Sequence, residues 1–77
     1  MNNYTQLDVI MDVDVVGEKL VKLEDELVDL LDTMEQLGVA DDILSKVREA
    51  KRHLTKATDT LFWMTLLPSY RKVLDND

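Results

Sequence analysis

Apolar residues fall at positions 16, 20, 23, 27, 30, 34 and 37, an unbroken alternation of steps of four and three. The spacing puts Val16, Leu20, Leu23, Leu27, Leu30, Met34 and Leu37 along one side of an α-helix, in the manner of a coiled-coil seam. The rhythm resumes beyond Gly38, at Ile43, Val47, Ala50, Leu54, Ala57, Leu61 and Met64. A connection of about four residues forces two such helices antiparallel, which predicts an all-α helical hairpin. The stripes then pair rung by rung, from Leu37 with Ile43 to Val16 with Met64, at residue numbers that all sum to 80 or 81. Ala50 and Ala57 stand opposite leucines, which lets the backbones approach closely.

The expected single domain, residues 1–77, comprises helix 1 at about 6–37, a turn at 38–41, helix 2 at about 42–67 and a tail at 68–77. Thr5-Gln6-Leu7-Asp8 matches a capping box, with Tyr4 and Val9 at staple positions. Residues 7–16 also carry a strand-like alternation, with Leu7, Val9, Met11, Val13 and Val15 set against Asp8, Ile10, Asp12 and Asp14. Helix is favoured, because Val9 and Val13 extend the seam in phase and a lone strand would need a second chain to pair with. Gly17 costs about 1 kcal/mol inside a helix and marks a kink or a later start. Gly38 suits a left-handed C-cap, Asp41 or Asp42 suits an N-cap, and Pro68 ends helix 2 ahead of a short helical turn over Tyr70 to Leu74.

With the seam numbered as heptad positions a and d, Val21 and Val28 fall at b and Leu31 at e on helix 1. Leu44 falls at e and Phe62 at b on helix 2. Like-lettered flanks meet in an antiparallel pair, so these five residues are expected on one apolar edge. Two helices cannot cover it, and the cheapest cover is a second copy, giving a homodimeric four-helix bundle. Lys19, Lys22, Glu26 and Asp29 facing Lys46, Glu49, His53 and Lys56 make the opposite flank a solvated one. At the open end Ile10, Met11 and Val15 approach Trp63, Leu66, Leu67 and Tyr70, a candidate hot-spot cluster that the tail is expected to fold back over.

Charge divides the chain. The net value of −7 is the sum of −10 over residues 1–44 and +3 over residues 45–77. An acidic helix lying beside a basic one screens both, and the overall balance disfavours direct nucleic-acid binding while suiting a basic protein partner. Glu18, Asp25, Asp29, Asp32 and Glu35 form the densest acidic surface, read either as a solvated helix face or as a mimic of nucleic-acid phosphates. In composition, though in no motif, the chain resembles small acidic inhibitors of bacteriophages.

Candidate chemistry changes this picture little. With no cysteine among 77 residues, disulfide staples, thiolate metal sites and cysteine nucleophiles are excluded, and packing or assembly must offset the small size. His53 has Glu49 one turn before it, a spacing that gives an exposed ion pair and lacks the second histidine of a zinc site. Asp12-x-Asp14 and Asp41-Asp42 lack the glycine and terminal glutamate of a calcium loop. Ser45 and Ser69 have no triad-like setting, and neither glycine sits in a phosphate-cradling loop. No apolar run reaches the roughly 18 residues of a membrane span, and Met1-Asn2-Asn3-Tyr4 reads as a native start without a signal core. The expectation is a cytoplasmic, non-enzymatic protein-binding module without cofactor or metal. It self-associates and regulates or inhibits a partner. The alternatives are an acidic nucleic-acid mimic, or a structural subunit or co-chaperone of a larger assembly.

Overall fold

A computed structural model describes residues 4–75, so Met1 to Asn3 of the expected start and Asn76 and Asp77 of the expected tail lie outside the described residues. Three helices follow in order: α1 (Gln6–Gln36), α2 (Asp41–Met64) and α3 (Pro68–Asp75). Cross-contacts run in opposite directions along α1 and α2, from Glu35 with Arg48 through Glu24 with Thr55 to Gly17 with Leu61. The long pair is therefore an antiparallel hairpin, with a Cα envelope of 54 × 27 × 15 Å.

The capping box forms as its four residues dictate. The Thr5 hydroxyl accepts from the Asp8 backbone N–H at 3.2 Å, and the Thr5 N–H donates to Asp8 Oδ2 at 3.0 Å. Helix then continues without interruption through residues 7–16 and through Gly17, which excludes the strand alternative and a later helix start. Gly17 faces Leu61 of α2, where an added Cβ would lie 3.9 Å from Leu61 Cδ1, an ordinary van der Waals contact. At the far end Gly38 adopts φ of 72°, Val39 N–H donates to the Met34 carbonyl at 3.0 Å, and Gly38 N–H donates to that of Glu35 at 3.1 Å. This is the Schellman arrangement, which a residue with a Cβ enters only with strain.

Two expected boundaries shift. The N-cap of α2 is Ala40, not Asp41 or Asp42, which instead occupy the first helical turn. There Asp42 Oδ1 accepts the Ile43 N–H at 2.8 Å, and both carboxylates meet the positive end of the helix dipole. The α2 helix stops at Met64, three residues before the expected Leu67. Thr65 turns its hydroxyl onto the Phe62 carbonyl at 2.7 Å, and the residue before Pro68 is biased away from helical geometry.

The seam itself lies at a and e, not at a and d. Beyond the first turn of α1, where Leu7 and Asp8 are half-buried, its half-buried or buried positions are Ile10, Val13, Gly17, Leu20, Glu24, Leu27, Leu31 and Met34. On α2 they include Leu44, Val47, Lys51, Leu54, Thr58, Leu61 and Thr65. Leu44, 4% exposed, and Leu31, 9% exposed, are the two buried side chains among the described residues. They were expected on the leftover edge, and they are the core. Each helix is thus turned by roughly 50° about its axis relative to an a/d seam, since successive residues are about 100° apart. Side-chain hydrogen bonds between α1 and α2 lie on that e and b side, Thr55 with Glu24 and Arg48 with Glu35, as does that of Tyr70 in α3 with Asp14. Glycine and threonines in the e rows leave room for that approach.

Ala40 is exposed with extended backbone (φ −58°, ψ 144°) and offers no side-chain cap. Ala40→Ser supplies one and is expected to raise the unfolding free energy by about 1 kcal/mol, read from the urea midpoint at unchanged slope.

Candidate interaction surfaces

A hairpin closed at a and e presents two broad faces, one carrying the b rows and one carrying the d rows. An open groove of 340 Å³ confirms that like rows share a face, because its wall combines Gly17 and Val21 of α1 with Thr58 and Phe62 of α2.

The b face is mixed. Val21, Val28 and Phe62 of the expected edge are exposed on it, but Asp14, Glu35 and Arg48 share their rows. The acidic residues Glu18, Asp25 and Asp32 form the next ridge outward, with Asp29 further round α1; all four are exposed. Glu35 is bound by Arg48 at 2.8 Å, and Asp32 accepts from Gln36 Nε2 at 3.3 Å. Beside them α2 contributes a cationic strip, where Arg48, Lys51, Arg52 and Lys56 line a second groove around Leu31 and Thr55. The acidic surface thus lies against a basic one on the same face.

Helix α3 crosses the open end of this face. Tyr70 donates its hydroxyl to Asp14 Oδ2 at 3.2 Å, and Tyr70 and Val73 are half-buried. The return does not bury the aromatic cluster: Phe62 and Trp63 remain 64% exposed, and Leu66 and Leu67 are also open. An eight-residue helix directed toward Asp14 leaves Trp63, on the outer edge of α2, uncovered. Burial and then the Asp14 charge and hydrogen bond push the Tyr70 phenol above its ordinary value of 10.0.

The d face is where the expected seam residues emerge. Val9, Val16, Leu23, Leu30 and Leu37 are all exposed on α1, Leu37 by 77%, beside exposed Ile43, Ala50 and Ala57 of α2. The flank expected to be wet therefore carries an apolar strip. Its bordering residues, in the g rows, are Asp12, Lys19, Glu26 and Thr33 on α1 and Lys46, His53 and Thr60 on α2. His53 Nε2 lies 3.8 Å from Glu49 Oε1, an exposed contact that becomes an ion pair when the imidazole is protonated.

Inside the seam sits an acidic residue that the apolar rhythm skips over. Glu24 occupies an e position, accepts the Thr55 hydroxyl at 3.2 Å through Oε2, and leaves Oε1 buried without a hydrogen-bond partner. Its signal in the sequence was masked by the acidic run Glu24-Asp25-Glu26, which reads as surface. Among the described residues no three histidine or acidic side chains are placed to hold a metal ion, and no helix is long and apolar enough to cross a membrane. Comparison with known protein families, curated proteins and solved structures finds no match to the chain.

Two tests follow from these contacts. Glu24→Leu removes the orphaned oxygen from the seam and is expected to stabilise the hairpin by about 1 kcal/mol in chemical denaturation. A raised phenol favours docking of α3 while Tyr70 is protonated, so that contribution is complete below the unfolded value of 10.0 and is lost as pH rises through the folded value. The Tyr70 absorbance should titrate later than that of a tyrosine in the unfolded chain, and α3 resonances should shift with it.

Proposed function

We propose that this chain is a non-enzymatic helical interaction module that self-associates and regulates or inhibits a partner protein. One observation carries the reading. The hairpin buries two side chains among the described residues while sixteen large apolar ones stay 41–77% exposed, nine of them in the b and d rows of the two broad faces. Exposed apolar surface of that extent marks docking sites, and a core of two leucines is too small to hold so short a chain alone.

The two faces suit different tasks. The b face offers the groove between Val21 and Phe62, rimmed by Asp14 and Glu18, which fits a partner segment presenting an apolar side chain beside a basic one. The neighbouring cationic strip of α2 makes such a surface selective, because a uniformly basic partner would meet Arg52 and Lys56 as well as the acids. The continuous apolar rows of the d face suit self-association.

Self-association is tested by the mass in solution and by thermal unfolding over a range of concentrations. A dimer should sediment at twice the 8.9 kDa chain mass, and its Tm should rise by roughly 5–10 °C per hundredfold increase in protein. A single 8.9 kDa species with a concentration-independent Tm would remove that part of the reading.

A further inference from the structure

We infer that the d face is the seam with a second copy of this chain, stacked so that α1 of each protomer lies on α2 of the other, with both turns at the same end of a four-helix bundle. The inference rests on the self-association proposed above and supplies its surface, symmetry and register.

The choice of face follows from its continuity. The d rows are apolar at every position from Val9 to Leu37 and from Ile43 to Met64. The b rows are broken by Asp14, Glu35, Arg48 and Thr55, and α3 crosses one end of their face. The strip is also large enough. A run from Val9 to Leu37 is roughly 40 Å long at 1.5 Å per residue, and two helices are about 20 Å wide. That gives some 800 Å² per copy, roughly the area of a standard stable interface.

The occupant follows from what the strip complements. Two hairpins placed face to face are related by a two-fold axis lying between them, either along the helices or across them. An axis across the helices stacks α1 on α1, setting a helix with ten acidic and two basic residues, net −8, against its own copy. An axis along the helices stacks α1 on the partner's α2, whose five basic and four acidic residues give +1, and so sets −8 against +1. Charge therefore selects the second arrangement.

That axis also fixes the register, because it leaves every residue at its own height along the bundle. Within one hairpin, Gly17 lies level with Leu61 and Glu24 with Thr55, pairs whose numbers sum to 78 and 79. Residues facing each other across the dimer obey nearly the same sum. Leu37 then meets the partner's Ile43, Leu30 the partner's Ala50, Leu23 the partner's Ala57 and Val16 the partner's Met64, each pair summing to 80. Two leucines drop into two alanine gaps, twice over by symmetry. On the rim, Glu26 comes level with the partner's His53, and Thr33 with the partner's Lys46. The d-row rungs written into the sequence are thus complementary, but between chains.

Three measurements on the full chain test this. Ala57→Glu places a carboxylate in the seam twice and should weaken the dimer by about 100-fold or more, whereas Phe62→Asp on the other face should leave the mass unchanged. Circular dichroism of each variant at high concentration reports whether the helices persist. A spin label on Ala40→Cys, at the exposed turn, should give a distance of about 20 Å between copies; α1-on-α1 stacking would separate the labels by about 45 Å. This readout needs no disruptive variant. A dimer that survives Ala57→Glu and dissociates with Phe62→Asp overturns the d face while leaving self-association intact, as does the longer label distance for the stacking. A monomeric wild-type chain overturns both.

Discussion

A two-helix layer can hide only two rows of side chains per helix, and every other feature of this protein responds to that limit. The chain carries apolar residues in the a and d rows, with leucines in the e rows near the turn at Leu31 and Leu44. A stripe of a, d and e spans somewhat over 100° of a helix, the width that a helix needs when it has two neighbours. In a hairpin 15 Å thick, each helix has one. One row must stay outside.

The row left outside is d, on the side away from the polar cross-links. Arg48 with Glu35, Thr55 with Glu24 and Tyr70 with Asp14 all tie the elements together on the e and b side, where Gly17 and Thr58 allow the helices to close. None of these exposed or half-buried bonds contributes more than about 1–1.5 kcal/mol. All of them lie on the side toward which the two long helices are turned. The leucines of the d row are left for a contact outside the hairpin, and the cost within it is a lysine, two threonines and a glutamate along the e rows. Glu24, with one oxygen unpartnered, shows that this interior is not optimised for the isolated chain.

The resulting faces differ in kind. One is a plain ladder of aliphatic side chains with a thin charged border, a surface that recognises shape and register. The other mixes an apolar groove with an acidic ridge and a cationic strip, which recognises a pattern of charge. Assigning self-association to the first and a regulated partner to the second assigns each face the task that its chemistry supports. The uneven charge of the two halves of the chain favours α1 beside α2 within the hairpin.

Much of this was legible in the sequence, because it depends on local rules. Thr5 and Asp8 form a cap wherever they stand three apart, Gly38 alone tolerates the left-handed turn at low cost, and an interval of four and three residues leaves a helix no other apolar side to present. Helix order, direction and the position of the turn follow from such terms. The rotation of each helix does not. The a/d and a/e seams lie only about 50° apart around a helix, and the bonds between residues 24 and 55 and between 35 and 48 lie on the a/e side. Only the folded chain brings those residues together, and so only the tertiary structure could show that Leu31 and Leu44 are core while Leu23 and Leu30 face outward.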